Sequence, residues 1–504
     1  MGATELSWLL ALPFLLPIAA ALATFLTRRR DSLTRKISIG SCALLLLATL
    51  AIFITVVRRG PVAAQMGGWP APHGISLAAD HLSAVMLLIA GAVGSAVAVF
   101  ALADIDRAHV RLGFHSYYQL LLAGVCGSFA TGDLFNLYVW FEVMLIASFA
   151  LMVLGGKPLQ LDAGIKYVTL NLVSTLLMLT AIGLVYGLTG TLNMARLHQA
   201  VAALDNPVAV DALGVLLLVA FGIKAALFPL FFWLPASYHA PPVAVTAVFA
   251  GLLTKVGVYA LIRTFTLIFP AGEGLVHQLL LPAALLTMLT GVLGAAAHYE
   301  FRKILAFHII SQIGFLVLGL ALYSPLALAG AVFYMVHNIL AKTNLLLISG
   351  TARRLAGSFQ LRRIGGLYRH SPLLAAVFFI AAFSLAGFPP LSGFWAKFLL
   401  VKASLDQAAY WVAAVALLTG ALTLYSMSKI WAEAFWKDHP GGEKPAARPL
   451  AGTERLQRMA PSLALALVTL VLGLFPEPLI DFSQRAAAEL LDPTAYIDAV
   501  LAGP

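Results

Sequence analysis

The chain has 504 residues, of which 61% are hydrophobic and 11% charged, with a formal net charge of +10. This composition is typical of polytopic membrane proteins and excludes an ordinary soluble protein. The positive charge could suggest a nucleic-acid partner, but the positions of the basic residues account for it without one. Cys42 and Cys126 lie in apolar runs without metal-ligand spacing, so we expect no metal site, disulfide or cofactor.

Apolar runs of about 18 or more residues predict membrane-spanning helices. Fourteen such runs predict an all-α polytopic membrane protein whose connections are too short for a soluble domain. The first run has no basic segment before it, so we interpret it as a span and not as a cleaved signal. The predicted spans are residues 7–27, 37–57, 80–103, 114–131, 134–155, 163–187, 211–233, 242–269, 278–298, 302–322, 326–349, 372–401, 408–435 and 459–476.

The basic residues predict the orientation of the spans. With the N-terminus outside, the inner loops carry 20 Lys and Arg, whereas the outer loops and tail carry 5. Cytoplasmic loops are enriched in Lys and Arg. We therefore expect both termini on the outer side and the loops 28–36, 350–371 and 436–458 inside.

Spans 1 to 3, within residues 1–113, carry little chemistry and are predicted to be peripheral. Span 5 contains Glu142, the acidic residue that lies deepest inside any predicted span. A buried carboxylate requires a partner. In span 6, Asp162 and Lys166 have the i,i+4 spacing of a surface ion pair.

Spans 7 and 8 each contain a lysine within an apolar run. Lys224 precedes Pro229 by five residues, and Lys255 lies near the middle of span 8. A charge inside the membrane is costly, and a proline frees backbone groups, so together they indicate an ion site beside a broken helix. A snorkelling lysine beside a harmless kink is the alternative. Arg263, near the end of span 8, is expected to snorkel.

Spans 10 to 12 hold a second set of ionisable residues. His308 is equally consistent with a packing role and with a functional one, whereas His337 and Lys342 on span 11 together favour a functional role. Span 12 repeats the combination of a break and a lysine, with Lys397 as the lysine. It follows a break at Gly387, Pro389 and Pro390. Lys397 could instead snorkel, because it lies near the outer end of the span.

The two breaks predict an internal repeat. Spans 4 to 8 (114–269) and spans 9 to 13 (278–435) form two five-helix units. Because five is odd, the second unit enters the membrane from the opposite side, which gives an inverted repeat. Residues 436–504 would form an inner loop, span 14 and a short polar outer tail.

The buried ionisable residues favour proton movement. A nearby carboxylate stabilises a lysine's ammonium form, so moving Glu142 toward or away from Lys224 would load or unload a proton. No phosphate-binding glycine loop, nucleophile with an adjacent base, or haem or iron–sulfur ligand set is present. ATP-driven transport and redox chemistry within the chain are therefore unsupported. A membrane scaffold without a conducting role is the alternative, but six buried ionisable groups make it a poor one.

Three segments carry a family resemblance: the run from Lys224 to Pro242, Leu253–Gly257, and Phe388–Lys397. They resemble the antiporter-like subunits shared by respiratory complex I and the multisubunit Mrp-type Na+/H+ antiporters. The sequence around Glu142, the His337–Lys342 spacing and the lysine at position 397 are most similar to the D-type Mrp subunits. The resemblance implies fourteen helices, a Glu–Lys pair in the first half and a central axis of lysines and histidines.

The resemblance also implies a function. The chain would be a secondary-transporter subunit, not an enzyme, in a bacterial cell membrane, where proton entry drives Na+ export. Its partners would be the other Mrp subunits, A, B, C, E, F and G, with no nucleic acid. The alternative is a proton-pumping subunit of complex I or of a membrane-bound hydrogenase.

Overall fold

The computed structural model describes residues 3–269, 274–440 and 450–501. Within them, twelve helical segments are long and apolar enough to cross a membrane. Two further predicted spans are present in another form. The fourth is the 17-residue helix Phe114–Ala130, and the twelfth is split into Pro372–Ala386 and Ser392–Asp406. Part of the predicted inner loop 436–458 and the last three residues lie outside the described residues.

The N-terminal part contains three long helices and a short antiparallel hairpin in which Val62 pairs with Ala79. Its elements are α1 Ala3–Thr27, α2 Asp31–Arg59, β1 Val62–Gln65, β2 Ser76–Ala79, α3 His81–Asp104 and α4 Arg107–Arg111.

The first predicted half contains α5 Phe114–Ala130, α6 Leu134–Val153, α7 Pro158–Thr189, α8 Met194–Ala202, α9 Pro207–Ala225, α10 Trp233–Ser237, α11 Val243–Val248 and α12 Thr254–Arg263. Two π-helical turns, Phe249–Leu253 and Thr264–Ile268, flank α12, so that α11 to the second turn is one continuous span.

The second predicted half contains α13 Leu275–Ala297, α14 Phe301–Leu322, α15 Pro325–Ala356, α16 Leu367–His370, α17 Pro372–Ala386, α18 Ser392–Asp406 and α19 Tyr410–Ile430, which continues as the π turn Trp431–Trp436. The chain ends with α20 Gly452–Leu474, α21 Glu477–Leu491 and α22 Thr494–Leu501. The expected polar tail is therefore wrong for most of its length, because 477–501 forms two helices with buried apolar faces.

The centre of the molecule is α15, which contacts α3, α11, α14, α17, α18, α20 and α21. The most apolar windows of α15 and of the span Val243–Ile268 are buried throughout, whereas α2 and α7 keep much of their apolar surface outward. Apolar surface facing lipid is compatible with a membrane environment. The two central spans carry Lys342 and Lys255.

The same local structure recurs 167 residues apart. The amide of Leu134 donates to the carbonyl of Leu192 (2.8 Å), and that of Phe301 donates to Phe359 (2.9 Å). An acidic residue caps the helix at both places, Asp133 for α6 and Glu300 for α14. The following helices, α7 and α15, each have 32 residues and begin with proline. These parallels support an internal repeat. Its boundaries, 114–269 and 278–435, are a proposal.

Spans 1 to 3 are less peripheral than predicted. Asp80 caps α3 and pairs with Arg263 at 2.7 Å, and both side chains are almost fully buried. Arg263 therefore does not snorkel to the membrane surface, and that prediction is wrong. Predictions from one span could not find this contact, because its partners are 183 residues apart. The expected surface pair of Asp162 and Lys166 is confirmed at 2.6 Å.

Candidate ion-translocation site

The first helix break places Lys224 at a helix end. Helix α9 stops at Ala225, because Ala226 adopts a left-handed conformation (φ 65°) and Pro229 follows within the break. Lys224 therefore lies in the last turn of α9 and not in the middle of a continuous span, as its sequence position suggested. The carbonyl of Ile223 at this helix end accepts hydrogen bonds from the backbone amide of Ala226 (3.1 Å) and from the indole of Trp233 (2.9 Å).

Glu142 and Lys224 are linked through a third residue, Thr175. The Thr175 hydroxyl donates to Glu142 Oε1 at 2.6 Å, and Lys224 Nζ lies 3.3 Å from the same hydroxyl. Lys224 also faces the carbonyl of Asn171 at 3.5 Å and the ring of Phe141 at 5.6 Å. Among the described residues no ion pair within 4 Å joins Glu142 to Lys224. The two charged groups predicted as a pair are thus neighbours bridged by a hydroxyl.

Lys255 lies directly after a π-helical turn in the first half. Its side chain is fully buried, and Nζ donates to the carbonyl of Ala250 at 2.8 Å. A π turn breaks the regular hydrogen-bond ladder and is frequent at functional sites. Beyond Lys255, Gly257 lies against the end of α9, where an added Cβ would be 2.6 Å from the amide nitrogen of Ala225. This close approach brings the two lysine-bearing helices together.

A small cavity lies beside Lys224 and reaches the π turn that precedes Lys255. Its lining includes Tyr167, Asn171, Lys224, Trp233 and Leu253, and Leu253 belongs to the π turn that precedes Lys255. Its volume of about 10 Å³ suits about one water molecule.

Helices α14 and α15 carry buried polar side chains that lack partners. Within the described structure, Lys342 Nζ and both ring nitrogens of His308 make no hydrogen bond. The same holds for the side-chain amides of Asn338 and Asn344. Buried polar groups normally have a partner, either protein or water. This concentration on two facing helices therefore indicates a hydrated region.

His337 connects α15 to the second helix break. Its Nδ1 lies 2.9 Å from the hydroxyl of Ser392, which lies 3.1 Å from that of Ser384. Ser384 and Ser392 flank the break that contains Gly387, Pro389 and Pro390. The histidine therefore contacts the break itself, and the two serines extend its hydrogen-bonded chain.

Lys397 occupies the other side of that break. Its Nζ donates to the carbonyls of Leu385 (3.0 Å) and Ala386 (2.8 Å), which lie at the end of α17. Gly387 makes the turn with a φ of 91°, where an added Cβ would be 2.9 Å from Lys397 Cδ. The side chain is 9% exposed. The ammonium group is thus turned into the break and not toward the membrane surface.

The predicted residues lie on helices that contact one another in series. Glu142 on α6 and Lys224 on α9 meet through Thr175 of α7, and α9 packs against α12, which carries Lys255. The π turn before Lys255 packs against α15, which carries Lys342 and His337, and α15 packs against α18, which carries Lys397. The central spans touch closely, since an added Cβ on Gly251 would be 2.4 Å from Thr343 Oγ1. Sequence reasoning missed Thr175, Ser384 and Ser392. Small hydroxyl residues are common in membrane helices, so nothing in the sequence distinguishes these three.

The geometry can be compared with known proteins. Residues 131–423 match the model of the NADH:quinone oxidoreductase/Mrp antiporter transmembrane family. The chain belongs to this family. It is 44% identical to the D subunit of the Na+/H+ antiporter of Alkalihalophilus pseudofirmus, covering 98% of this chain and 99% of that protein. It is 39% identical to the corresponding D subunit of Bacillus subtilis, covering 97% and 98%.

Solved structures give the same relationship. A chain in the Mrp complex from Dietzia sp. superposes with a TM-score of 0.90 at 35% identity, covering 98% of this chain and 99% of that one. A chain of respiratory complex I from Thermus thermophilus superposes with a TM-score of 0.82 at 28% identity, covering 96% and 99%. This member of the family is thus more similar to the Mrp chain than to the complex I chain.

Proposed function

We propose that this chain is a component of a multisubunit Na+/H+ antiporter, in which it moves protons along the series from Glu142 to Lys397. The observation that carries the proposal is the bridged pair of Glu142 and Lys224 beside a broken helix, in a chain 44% identical to an antiporter D subunit. Proton entry through this series would drive Na+ export. The chain is on this view a transporter component and not an enzyme.

The series suits protons because each lysine can hold or release one. Lys255 and Lys397 have carbonyl acceptors at a π turn and at a helix break, and Lys224, in the last turn of α9, has the Thr175 hydroxyl as its acceptor. Lys342 and His308 have no protein partner among the described residues and lie among unpaired amides. Water in this region would connect groups too far apart for direct transfer.

Other Mrp subunits are the proposed partners, specifically A, B, C, E, F and G, with Na+ and H+ as the transported ions. The relatives are named as subunits of antiporters, and one solved relative lies in an Mrp complex. The proposed location is a bacterial cell membrane with both termini outside. A proton-pumping role in a complex I-like assembly is a second candidate, favoured by the similarity to the Thermus complex I chain.

The test replaces Glu142 or Lys224 by alanine in the assembled complex. We expect Na+/H+ exchange in inverted membrane vesicles to be abolished while the protein remains in the membrane, because the pair handles protons and does not hold the fold. Lys166→Ala, which removes an exposed ion pair on α7, is the matched control. Near-normal exchange by either pair variant would remove the pair from the mechanism.

A further inference from the structure

The hydroxyl of Thr175 occupies the space between the two charged groups of the first half. It donates to Glu142 Oε1 (2.6 Å), and Lys224 Nζ is 3.3 Å away on its other side. A hydroxyl has one hydrogen to donate and lone pairs that accept. Thr175 can therefore serve the carboxylate and the ammonium group at the same time. Its side chain is buried.

Other threonines on the same helix behave differently. Thr169 and Thr180 donate to the carbonyls of Ile165 and Leu176, four residues earlier in α7. This local bond is the ordinary way in which a membrane helix satisfies a threonine. The hydroxyl of Thr175 makes no such bond in the described structure and is directed to charged partners on α6 and α9. Its orientation is therefore set by the site and not by its own helix.

The internal repeat gives an independent reason to single out this position. With the 167-residue spacing of the recurring hydrogen bonds, Thr175 corresponds to Lys342 and Asn171 corresponds to Asn338. Lys342 is fully buried on the central helix α15. The same place on the third helix of each half is thus occupied by a polar residue at the ion site, an ammonium group in one half and a hydroxyl in the other.

We propose that Thr175 relays protons between Lys224 and Glu142, an inference that rests on the proposed antiport function. In the forward step an N–H bond of the Lys224 ammonium breaks and its proton binds to Thr175 Oγ1. The original hydroxyl hydrogen leaves Thr175 for Glu142 Oε1, where an O–H bond forms. Lysine becomes a neutral amine, glutamate becomes a neutral acid, and threonine is unchanged except for the orientation of its hydrogen.

The bridge also keeps the two charges from locking together. Opposite charges in direct contact within a protein interior attract strongly, and a contact pair would hold its proton on the lysine. An intervening hydroxyl leaves them close enough to exchange a proton and separate enough to part. Thr175 is on this account both a relay and a positioning residue, and its loss should alter the pH dependence of transport as well as its rate.

The test compares Thr175→Val with Thr175→Ser. Valine keeps the branched shape and removes the hydroxyl, whereas serine keeps the hydroxyl. Thr180→Val on the same helix is the matched control, because its exposed hydroxyl bonds only its own backbone. Na+-dependent proton movement is measured over a range of pH in inverted vesicles that contain the whole complex, and the amount of assembled protein is quantified for each variant.

We expect the valine variant to lose about tenfold to a hundredfold in rate, the contribution of a hydrogen bond to a charged group, and its pH optimum to move. The serine variant and the Thr180→Val control should retain both rate and pH profile. If valine fails to assemble, Thr175→Ala takes its place. A wild-type rate in the variant lacking the hydroxyl would overturn the relay. An unchanged pH profile in that variant, or a serine variant as slow as the valine variant, would also overturn it. The same holds if the serine variant assembles and neither the valine nor the alanine variant does, because the hydroxyl would then be needed for assembly.

The same measurements separate this inference from the proposed function. If Glu142→Ala and Lys224→Ala are inactive while Thr175→Val is normal, the pair functions without the relay, and only the relay is wrong. If the two alanine variants exchange Na+ for H+ normally, the pair itself has no role, and the proposed function of this site is wrong.

Discussion

Two buried lysines contact backbone carbonyls where a helix has lost its regular hydrogen bonds. Lys255 donates to Ala250 beside a π turn, and Lys397 donates to Leu385 and Ala386 at a broken end. In hydrocarbon an ammonium group and a free carbonyl are each costly, and together they stabilise one another. The break and the lysine therefore work as a unit. Such a carbonyl can accept a hydrogen bond but cannot take the proton, so the lysine remains free to pass it elsewhere.

Replacing Lys397 by arginine separates a proton-releasing role from an anchoring one. Arginine keeps the charge and can still donate to the carbonyls of the break, but its guanidinium does not release its proton in proteins. We therefore expect Lys397→Arg to assemble and to lose antiport in inverted vesicles. Lys402→Arg, at an exposed ion pair on the same helix, should behave as wild type. Full antiport by an assembled Lys397→Arg complex would show that position 397 needs only a positive charge.

At the scale of single residues, the sequence identified candidate site residues by their charge. Glu142, Lys224 and Lys397 are visible because ionisable groups are rare in membrane spans. Thr175 is not, because Thr169 and Thr180 look the same in sequence and bond only their own helix. What distinguishes Thr175 is the direction of its hydroxyl, which depends on how α6, α7 and α9 pack.

At the scale of elements, helix breaks position the site residues, and close helix packing holds the broken ends in place. The sequence indicated the breaks through Pro229 and through Gly387 to Pro390, but it placed Lys224 too deep within a continuous helix. It also gave no sign of the π turn Phe249–Leu253, whose residues would suit an ordinary helix equally well. The repeat was predicted from the two breaks alone. The 167-residue spacing appears only where corresponding backbone bonds, Leu134 to Leu192 and Phe301 to Phe359, can be compared.

Gly257 allows the span carrying Lys255 to touch the broken end of α9. A methyl group there would lie 2.6 Å from the nitrogen and 2.9 Å from the Cα of Ala225, so the backbone beside Lys224 must shift. A displacement of about 1 Å at a reacting group can lower a rate by about a hundredfold. We therefore expect Gly257→Ala to lower the rate of antiport in vesicles by about tenfold to a hundredfold, with the protein still assembled.

Gly183→Ala is the matched control for this change. Gly183 also lies within a membrane helix, α7, but an added Cβ there would meet no atom within 4 Å. It should leave antiport unchanged. Equal antiport in the two glycine variants would show that this close contact does not position Lys224.

The buried pair of Asp80 and Arg263 ties α3 to the end of α12. Tyr496 of α22 covers the guanidinium, with 4.9 Å from its Cζ to the ring centroid. Removing one partner of a buried ion pair leaves an uncompensated charge, which costs about 3–5 kcal/mol. Asp80→Asn keeps an oxygen to cap α3 but removes the charge. We therefore expect a clearly lower melting temperature of the protein in detergent.

The single variant is compared with a double variant of the same pair and with a variant of an exposed pair. The double variant Asp80→Asn/Arg263→Met removes both charges and should recover part of the loss, because no unpaired charge remains. Lys166→Ala breaks an exposed pair and should change stability by about 1 kcal/mol or less. A single Asp80→Asn variant as stable as wild type would show that Arg263 does not depend on this carboxylate.

At the scale of the whole molecule, the charged loops gather on one side. Arg458 lies 3.7 Å from Asp104, and Arg354 pairs with Glu454 at 2.8 Å. These contacts join the predicted inner loops after α3 and α15 to the start of α20. On the other side, the side-chain amide of Gln65 in the hairpin donates to the carbonyl of Val500. The molecule thus has a charged face and an opposite face covered by the hairpin and the C-terminal helices.

The distribution of basic residues predicts the absolute orientation, with the charged face in the cytoplasm. Cysteines placed at the exposed positions Arg29, Arg363 and Arg455 should resist a membrane-impermeant thiol reagent in intact cells and react after permeabilisation. Background labelling should be low, because Cys42 and Cys126 are 1% and 0% exposed. The control is Trp69→Cys on the opposite face, at a position 67% exposed, which should react in intact cells.

The two sets of positions make the orientation test decisive, because each reports on one face of the same protein. Twenty basic residues in the inner loops against five outside is a bias that insertion into the membrane strongly follows. Reversed labelling, with Arg29→Cys reactive in intact cells and Trp69→Cys protected, would invert the whole chain. The proton series would then keep its geometry, but each end of it would open toward the opposite compartment.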